Sequence, residues 1–173
     1  EKGKLFLRSF SLLHFILLDK VLEYMKIMFI SLGCDKNLVD SEKMLGMLAD
    51  KGFEFTDDES EAEVAVVSTC TFIHDAKEES INTLIEMGQY KTEGKLKALI
   101  ATGCLAQRYH EEIRTEIPEV DAILGTTAIE HIVEAVEEVL AGQKTEHLED
   151  IQYLAATKGR RVVTTGGHFA YLK

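Results

Sequence analysis

The sequence predicts a doubly wound α/β domain: a five-stranded parallel sheet with helices on both faces, in the flavodoxin-like strand order 2-1-3-4-5. Three observations predict it. Strand-length apolar runs alternate with helix-length amphipathic segments from Met25 to Gly142. The run Val64–Ser68 (VAVVS) is continuously apolar up to its last residue, as a strand covered on both faces must be. Gly33, Gly52 and Gly125 stand where strands or helices have to stop.

The elements follow in order. Lys26–Leu32 (KIMFISL) is a first strand, ended by Gly33. Asn37–Lys51 is a helix with Leu38, Met44, Leu45 and Leu48 at helical spacing, stopped by Gly52. Phe53–Phe55 is a short edge strand before the acidic loop Asp57–Glu61, which is simplest as a solvated loop. Val64–Ser68 is the third strand and Asp75–Gly88 the next helix. Lys97–Thr102 is a strand, Cys104–Glu116 a helix, and Ala122–Leu124 a last short strand. Ile129–Leu140 closes the domain with its apolar residues at i, i+3, i+4, i+7 and i+11, the clearest amphipathic stripe in the chain.

The two ends read differently. Residues 1–24 are densely apolar but interrupted by Arg8 and His14, and no small-residue cleavage site follows. The uninterrupted stretch Phe15–Leu18 is far shorter than the roughly 20 residues a membrane span needs. Residues 1–24 are therefore expected to be an extension outside the domain, with Met25 as a start, and no membrane association is expected. Residues 143–173 turn polar, then basic at Lys158–Arg161, then end in Val162–Lys173 (VVTTGGHFAYLK), which reads as a linker followed by the start of a strand.

The chain has 173 residues, 46% hydrophobic and 28% charged, with one proline, so disorder and fibrous repeats are excluded. A net charge of −11 argues against clamping a nucleic-acid backbone. Three cysteines form a poor disulfide framework and point to a reducing, cytoplasmic setting.

Their placement is informative. Cys34, Cys70 and Cys104 each follow the carboxyl end of a predicted strand, the first, third and fourth. In the 2-1-3-4-5 order these strands are neighbours, at the crevice where such sheets bind ligands. With strands roughly 4.8 Å apart, three thiols can converge there. Ser31, Gly33, Thr69 and Gly103 beside them are small and would leave room for a bulky group, and the helix starts beyond them would favour thiolate. Zinc is disfavoured because there is no C-x-x-C pair and no fixed histidine. A single catalytic cysteine lacks an evident base. Three soft thiolates suit an iron–sulfur cluster with one iron open. A noncatalytic flavodoxin-like binding module with core cysteines is the alternative of another class.

These residues carry a resemblance. Ser31–Glu42 (SLGCDKNLVDSE) resembles the opening motif of the radical-AdoMet methylthiotransferases. Ser68–Ile73 with Ala76–Ser80 resembles the second motif, and Thr102–Tyr109 with Pro118–Asp121 the third. The resemblance covers Met25 to Gly142. It implies an auxiliary [4Fe–4S] cluster held by Cys34, Cys70 and Cys104, with Gly33, Lys36, Asn37 and Gly103 as possible pocket residues. The G-C-x-K-N-x-V-D-S-E form resembles the branch that methylthiolates an aspartate of a small-subunit ribosomal protein. Asp35 replaces a proline common in that branch, and Ser68 replaces the usual asparagine before Thr-Cys. A tRNA-adenosine methylthiotransferase is the alternative within the family. The family's C-x-x-x-C-x-x-C motif, which binds a second cluster that cleaves S-adenosylmethionine, does not occur in this sequence. The resemblance therefore implies an amino-terminal piece, inactive alone, with residues 143–173 leading into the family's barrel.

Smaller expectations complete the reading. Asn37 or Asp40 could cap the first helix or shape the pocket, with Lys36 and Glu42 beside them. Glu78 and Ser80 are expected on a solvated helix face. Gln107 and Arg108 are expected to be exposed.

Overall fold

The computed structural model describes residues 25–153 and 159–173. The expected extension at residues 1–24, and Lys158 of the basic stretch, lie outside the described residues. Six strands form one parallel sheet: β1 (Lys26–Ser31), β2 (Glu54–Phe55), β3 (Val64–Thr69), β4 (Ala98–Gly103), β5 (Ala122–Leu124) and β6 (Thr145–His147). Their order is β2-β1-β3-β4-β5-β6, so the expected 2-1-3-4-5 arrangement is present with one strand added at the edge. β6 falls within the segment read as a linker; it pairs with β5 through Ala122↔Thr145 to Leu124↔His147. Thr-Glu-His has no apolar alternation, so the strand is held by backbone pairing at an edge and carried no signal in the sequence.

The helices are α1 (Asp35–Lys51), α2 (His74–Glu93), α3 (Cys104–Arg108), α4 (His110–Glu116) and α5 (Ile132–Leu140), the last preceded by a 3₁₀ turn at Ile129–His131. The expected single helix Cys104–Glu116 is thus two, broken at Tyr109, whose backbone (φ −126°, ψ 34°) leaves the helical region. α1 ends at Gly52 (φ 99°), the left-handed stop expected there.

Strand alternation splits the core in two. Ile27, Val64, Val66, Ile100 and Leu124 face one side with Met44, Leu48, Ile132 and Val136 of α1 and α5. Ala65, Val67, Leu99, Ala101 and Ile123 face the other, with Leu84 and Met87 of α2, Leu105 of α3 and Ile113 of α4. Both faces being covered is why the central strands are wholly buried.

The segment after residue 159 is not a strand. It crosses α1 as a strap: the Val162 amide donates to the Glu42 carbonyl at 3.0 Å. The strap also explains Gly46, where a Cβ would stand 2.0 Å from the Arg160 carbonyl oxygen.

Candidate functional site

The sheet register builds the site. Ser31 is level with Ser68, and Ser68 with Thr102, so β1, β3 and β4 end in one row. Cys34, Cys70 and Cys104 follow that row by three, two and two residues. Cys34 immediately precedes α1, and Cys104 is the first residue of α3. Cys70 is buried, at 2% exposure, Cys104 is partly buried and Cys34 exposed. A cleft of about 610 Å³ opens over Cys34 and Cys70, with Phe72, Ile73 and Glu79 on its rim. Phe72 is 86% exposed.

Gly33 and Gly103 contribute close approach rather than spare room. Both have left-handed backbones (φ 94° and 93°). A Cβ on Gly33 would lie 2.5 Å from Cys70 Cβ and 2.6 Å from its Sγ. One on Gly103 would lie 2.4 Å from the Thr69 carbonyl oxygen. Both positions therefore require glycine on steric and conformational grounds together.

A buried polar frame surrounds the thiols. Asn37 does not cap α1; its amide donates to the Thr69 carbonyl at 2.9 Å and the Leu32 carbonyl at 3.2 Å. Its Oδ1 lies 3.6 Å from Cys104 Sγ, in position to accept the thiol proton. Thr69 Oγ1 donates to the Thr102 carbonyl at 2.6 Å and accepts the Ala106 amide at 3.2 Å, tying β3 to β4 and to α3. Ser31 and Ser41 hydroxyls meet at 2.9 Å, joining β1 to α1.

Ser80 overturns its expected place. It is fully buried, its Oγ accepts the Cys70 amide at 2.9 Å and donates to the Ala76 carbonyl at 2.8 Å. The signal that could have found it is a small hydroxyl on the inward face of α2, ten residues after a cysteine. Glu78 is exposed as expected. Lys36 is exposed on the first turn of α1. Arg108 is exposed, whereas Gln107 turns inward and its Oε1 accepts the Thr126 amide at 3.1 Å.

Asp40 and Glu42 serve the strap. Asp40 pairs with Lys173. Glu42, at 0% exposure, accepts Arg161 Nε at 2.7 Å, the Thr164 amide at 2.6 Å and the Thr164 hydroxyl at 2.9 Å. Burial pushes this carboxyl up, but the hydrogen bonds from Thr164 and Arg161 outweigh it and hold the group below the ordinary range.

Electrostatics departs from one expectation. Burial first, then the neighbouring Cys70 and Cys34, push the Cys104 thiol above its ordinary value. Its place at the start of a five-residue helix does not reverse that. Among the described residues, the set whose ligand atoms all come within 4.8 Å of one another is His131, Glu134 and His147, not the cysteines. Three sulfur donors are the kind that iron–sulfur centres use.

Fold and site together define a doubly wound parallel α/β domain with three free cysteines gathered at the carboxyl ends of its central strands. The chain belongs to the uncharacterized protein family UPF0004, whose model matches residues 26–125. It is 64% identical over 149 residues to the ribosomal protein uS12 methylthiotransferase RimO of Lachnoclostridium phytofermentans, covering 86% of this chain and 34% of that protein. The proteins of that name from Solibacter usitatus and Symbiobacterium thermophilum are 50% and 46% identical, covering 86% of this chain and 31% and 30% of their own lengths. The chain thus spans about a third of the curated relatives it matches. Among the described residues no helix is long and apolar enough to cross a membrane.

Proposed function

We propose that this chain is the auxiliary-cluster domain of a radical-AdoMet methylthiotransferase acting on an aspartate of ribosomal protein uS12, in the cytoplasm. The observation that carries this reading is the convergence of three cysteines from three adjacent strand ends, one of them buried against a glycine that nothing larger could replace. The names of the relatives support the ribosomal protein over a tRNA as substrate. The described fold runs from Met25 past Gly142 to the end of β6 at His147, and we read the residues beyond it as a linker.

Cys34, Cys70 and Cys104 would hold a [4Fe–4S] cluster. Held by these three thiolates, the cluster would supply iron able to take a sulfur-bearing ligand. Gly33 lets the backbone pass tightly beside Cys70, and Gly103 lets it pass tightly beside the Thr69 backbone. Ser80 fixes the Cys70 amide and Asn37 fixes the loops after β1 and β3. The raised Cys104 proton must leave when metal binds. Cleavage of S-adenosylmethionine would fall to a second cluster, because this one would take all three cysteines of the sequence. The chain alone is therefore expected to be inactive.

Anaerobic reconstitution with iron and sulfide tests the assignment. The expected result is broad absorption near roughly 400 nm with about four irons per chain, lost on substituting Cys34, Cys70 and Cys104 by Ala. Absorption retained by the triple variant would falsify it. Methylthiolation of uS12 is then read as a mass gain with the full-length enzyme.

A further inference from the structure

Two strands across the sheet from β4, a second group of metal-binding side chains comes together where α5 meets β6. His131, from the turn before α5, and His147, the last residue of β6, stack with ring centroids 4.9 Å apart and planes within 9°. His131 Nδ1 lies 2.9 Å from Glu134 Oε2. Ligand atoms of His131, Glu134 and His147 all lie within 4.8 Å of one another. Two further carboxylates stand behind them: Glu138 Oε2 is 3.0 Å from His147 Nε2, and Glu149 Oε1 is 3.7 Å from His131 Nε2.

Two imidazoles and three carboxylates gather at this corner, within a chain whose net charge is already −11. We propose that His131, Glu134 and His147 form a binding site for a divalent transition-metal ion of the zinc class, with Glu138 and Glu149 as the outer carboxylates. Imidazole and carboxylate are the donors such ions take, and two histidines with one glutamate leave a position for water. Glu138, 3.0 Å from His147 Nε2, stands where a carboxylate that orients a ligating histidine accepts its ring proton in known sites, while Glu149, at 3.7 Å from His131 Nε2, is beyond hydrogen-bond reach and adds only charge. The in-plane lone pairs of two parallel rings do not converge, so binding one ion beside Glu134 would turn the imidazoles out of their stack.

The site lies beyond residues 26–125, so it is independent of the family-defining part of the chain and of the cysteines. Its ligands come from both partners of one junction. Among the described residues β6 is a three-residue edge strand with no fully buried side chain, paired only with β5. A metal ion bridging α5 and β6 clips that strand in place.

Zn²⁺ and Co²⁺ are the probes. Equilibrium dialysis of the wild-type chain against micromolar Zn²⁺ at neutral pH is compared with Glu134→Gln and His131→Ala. Glu134→Gln keeps the side-chain shape at an exposed position and leaves the fold intact. The wild type is expected to bind one more equivalent than either variant, or to bind the matching equivalent at least about tenfold more tightly, as loss of a ligand dictates. In a chain with the three cysteines replaced by Ala, that equivalent persists, and Co²⁺ there shows ligand-field bands without thiolate charge transfer. Equal stoichiometry and affinity in wild type and both variants overturns the site, as does loss of all binding when only the cysteines are replaced.

Discussion

Asn37 and Cys104 meet across the crevice: the amide that ties down the backbone after β1 and β3 turns its oxygen 3.6 Å from the thiol that opens α3. One buried side chain thereby joins the ends of β1 and β3 to the start of α3, the three places where the cysteines stand.

Replacing Asn37 by Ala leaves the Leu32 and Thr69 carbonyls without their side-chain donor. Orphaned buried polar groups cost about 1–3 kcal/mol. We expect a lower melting temperature by calorimetry and a reduced iron content after reconstitution. A variant with unchanged stability and full iron loading contradicts this role.

Gly33→Ala should be worse than its one added methyl group suggests. The left-handed backbone disfavours alanine by about 1 kcal/mol, and the Cβ would press on Cys70 at 2.5 Å. The expected outcome is displacement of Cys70, read as loss of reconstituted absorption even where circular dichroism reports an intact sheet.

Ser80→Ala removes the acceptor of the Cys70 amide inside the protein. The cost should again be about 1–3 kcal/mol in chemical denaturation. Ser80→Thr keeps the hydroxyl, and recovery of iron loading in that variant separates hydrogen bonding from packing.

The strap should respond to acid. Glu42 is held below its ordinary value of 4.5 in the folded protein, so its contribution is complete above that pH. It is lost as pH falls through the depressed folded value. Hydrogen exchange of the Val162 and Thr164 amides, both bonded to Glu42, should show protection at neutral pH that disappears in acid. Glu42→Ala strands Arg161 and is expected to cost about 3 kcal/mol at neutral pH; protection unchanged in that variant would refute the latch.

Local pattern determined much of this molecule. Apolar period and length are properties of each segment alone, so β1, β3, β4, β5 and the α1 and α5 stripes were legible. The handedness and order of parallel crossovers then follow from general rules, which is why three cysteines at strand ends are expected at one crevice from the sequence. What the sequence could not decide are relations between distant residues without periodicity. β6 pairs by backbone alone, and backbone pairing leaves no side-chain signature in Thr-Glu-His. Ser80 lies buried beneath Cys70 rather than in solvent because α2 turns that face inward, against the loop after β3. Glu42 is buried because a segment 119 residues later brings Arg161 to it, and the resulting charge pair exists only once the chain has folded back over α1. The sequence by itself determined the sheet and the thiols. Tertiary structure decided what holds those thiols in place, because hydrogen bonds and ion pairs between remote positions are set by packing and not by local propensity.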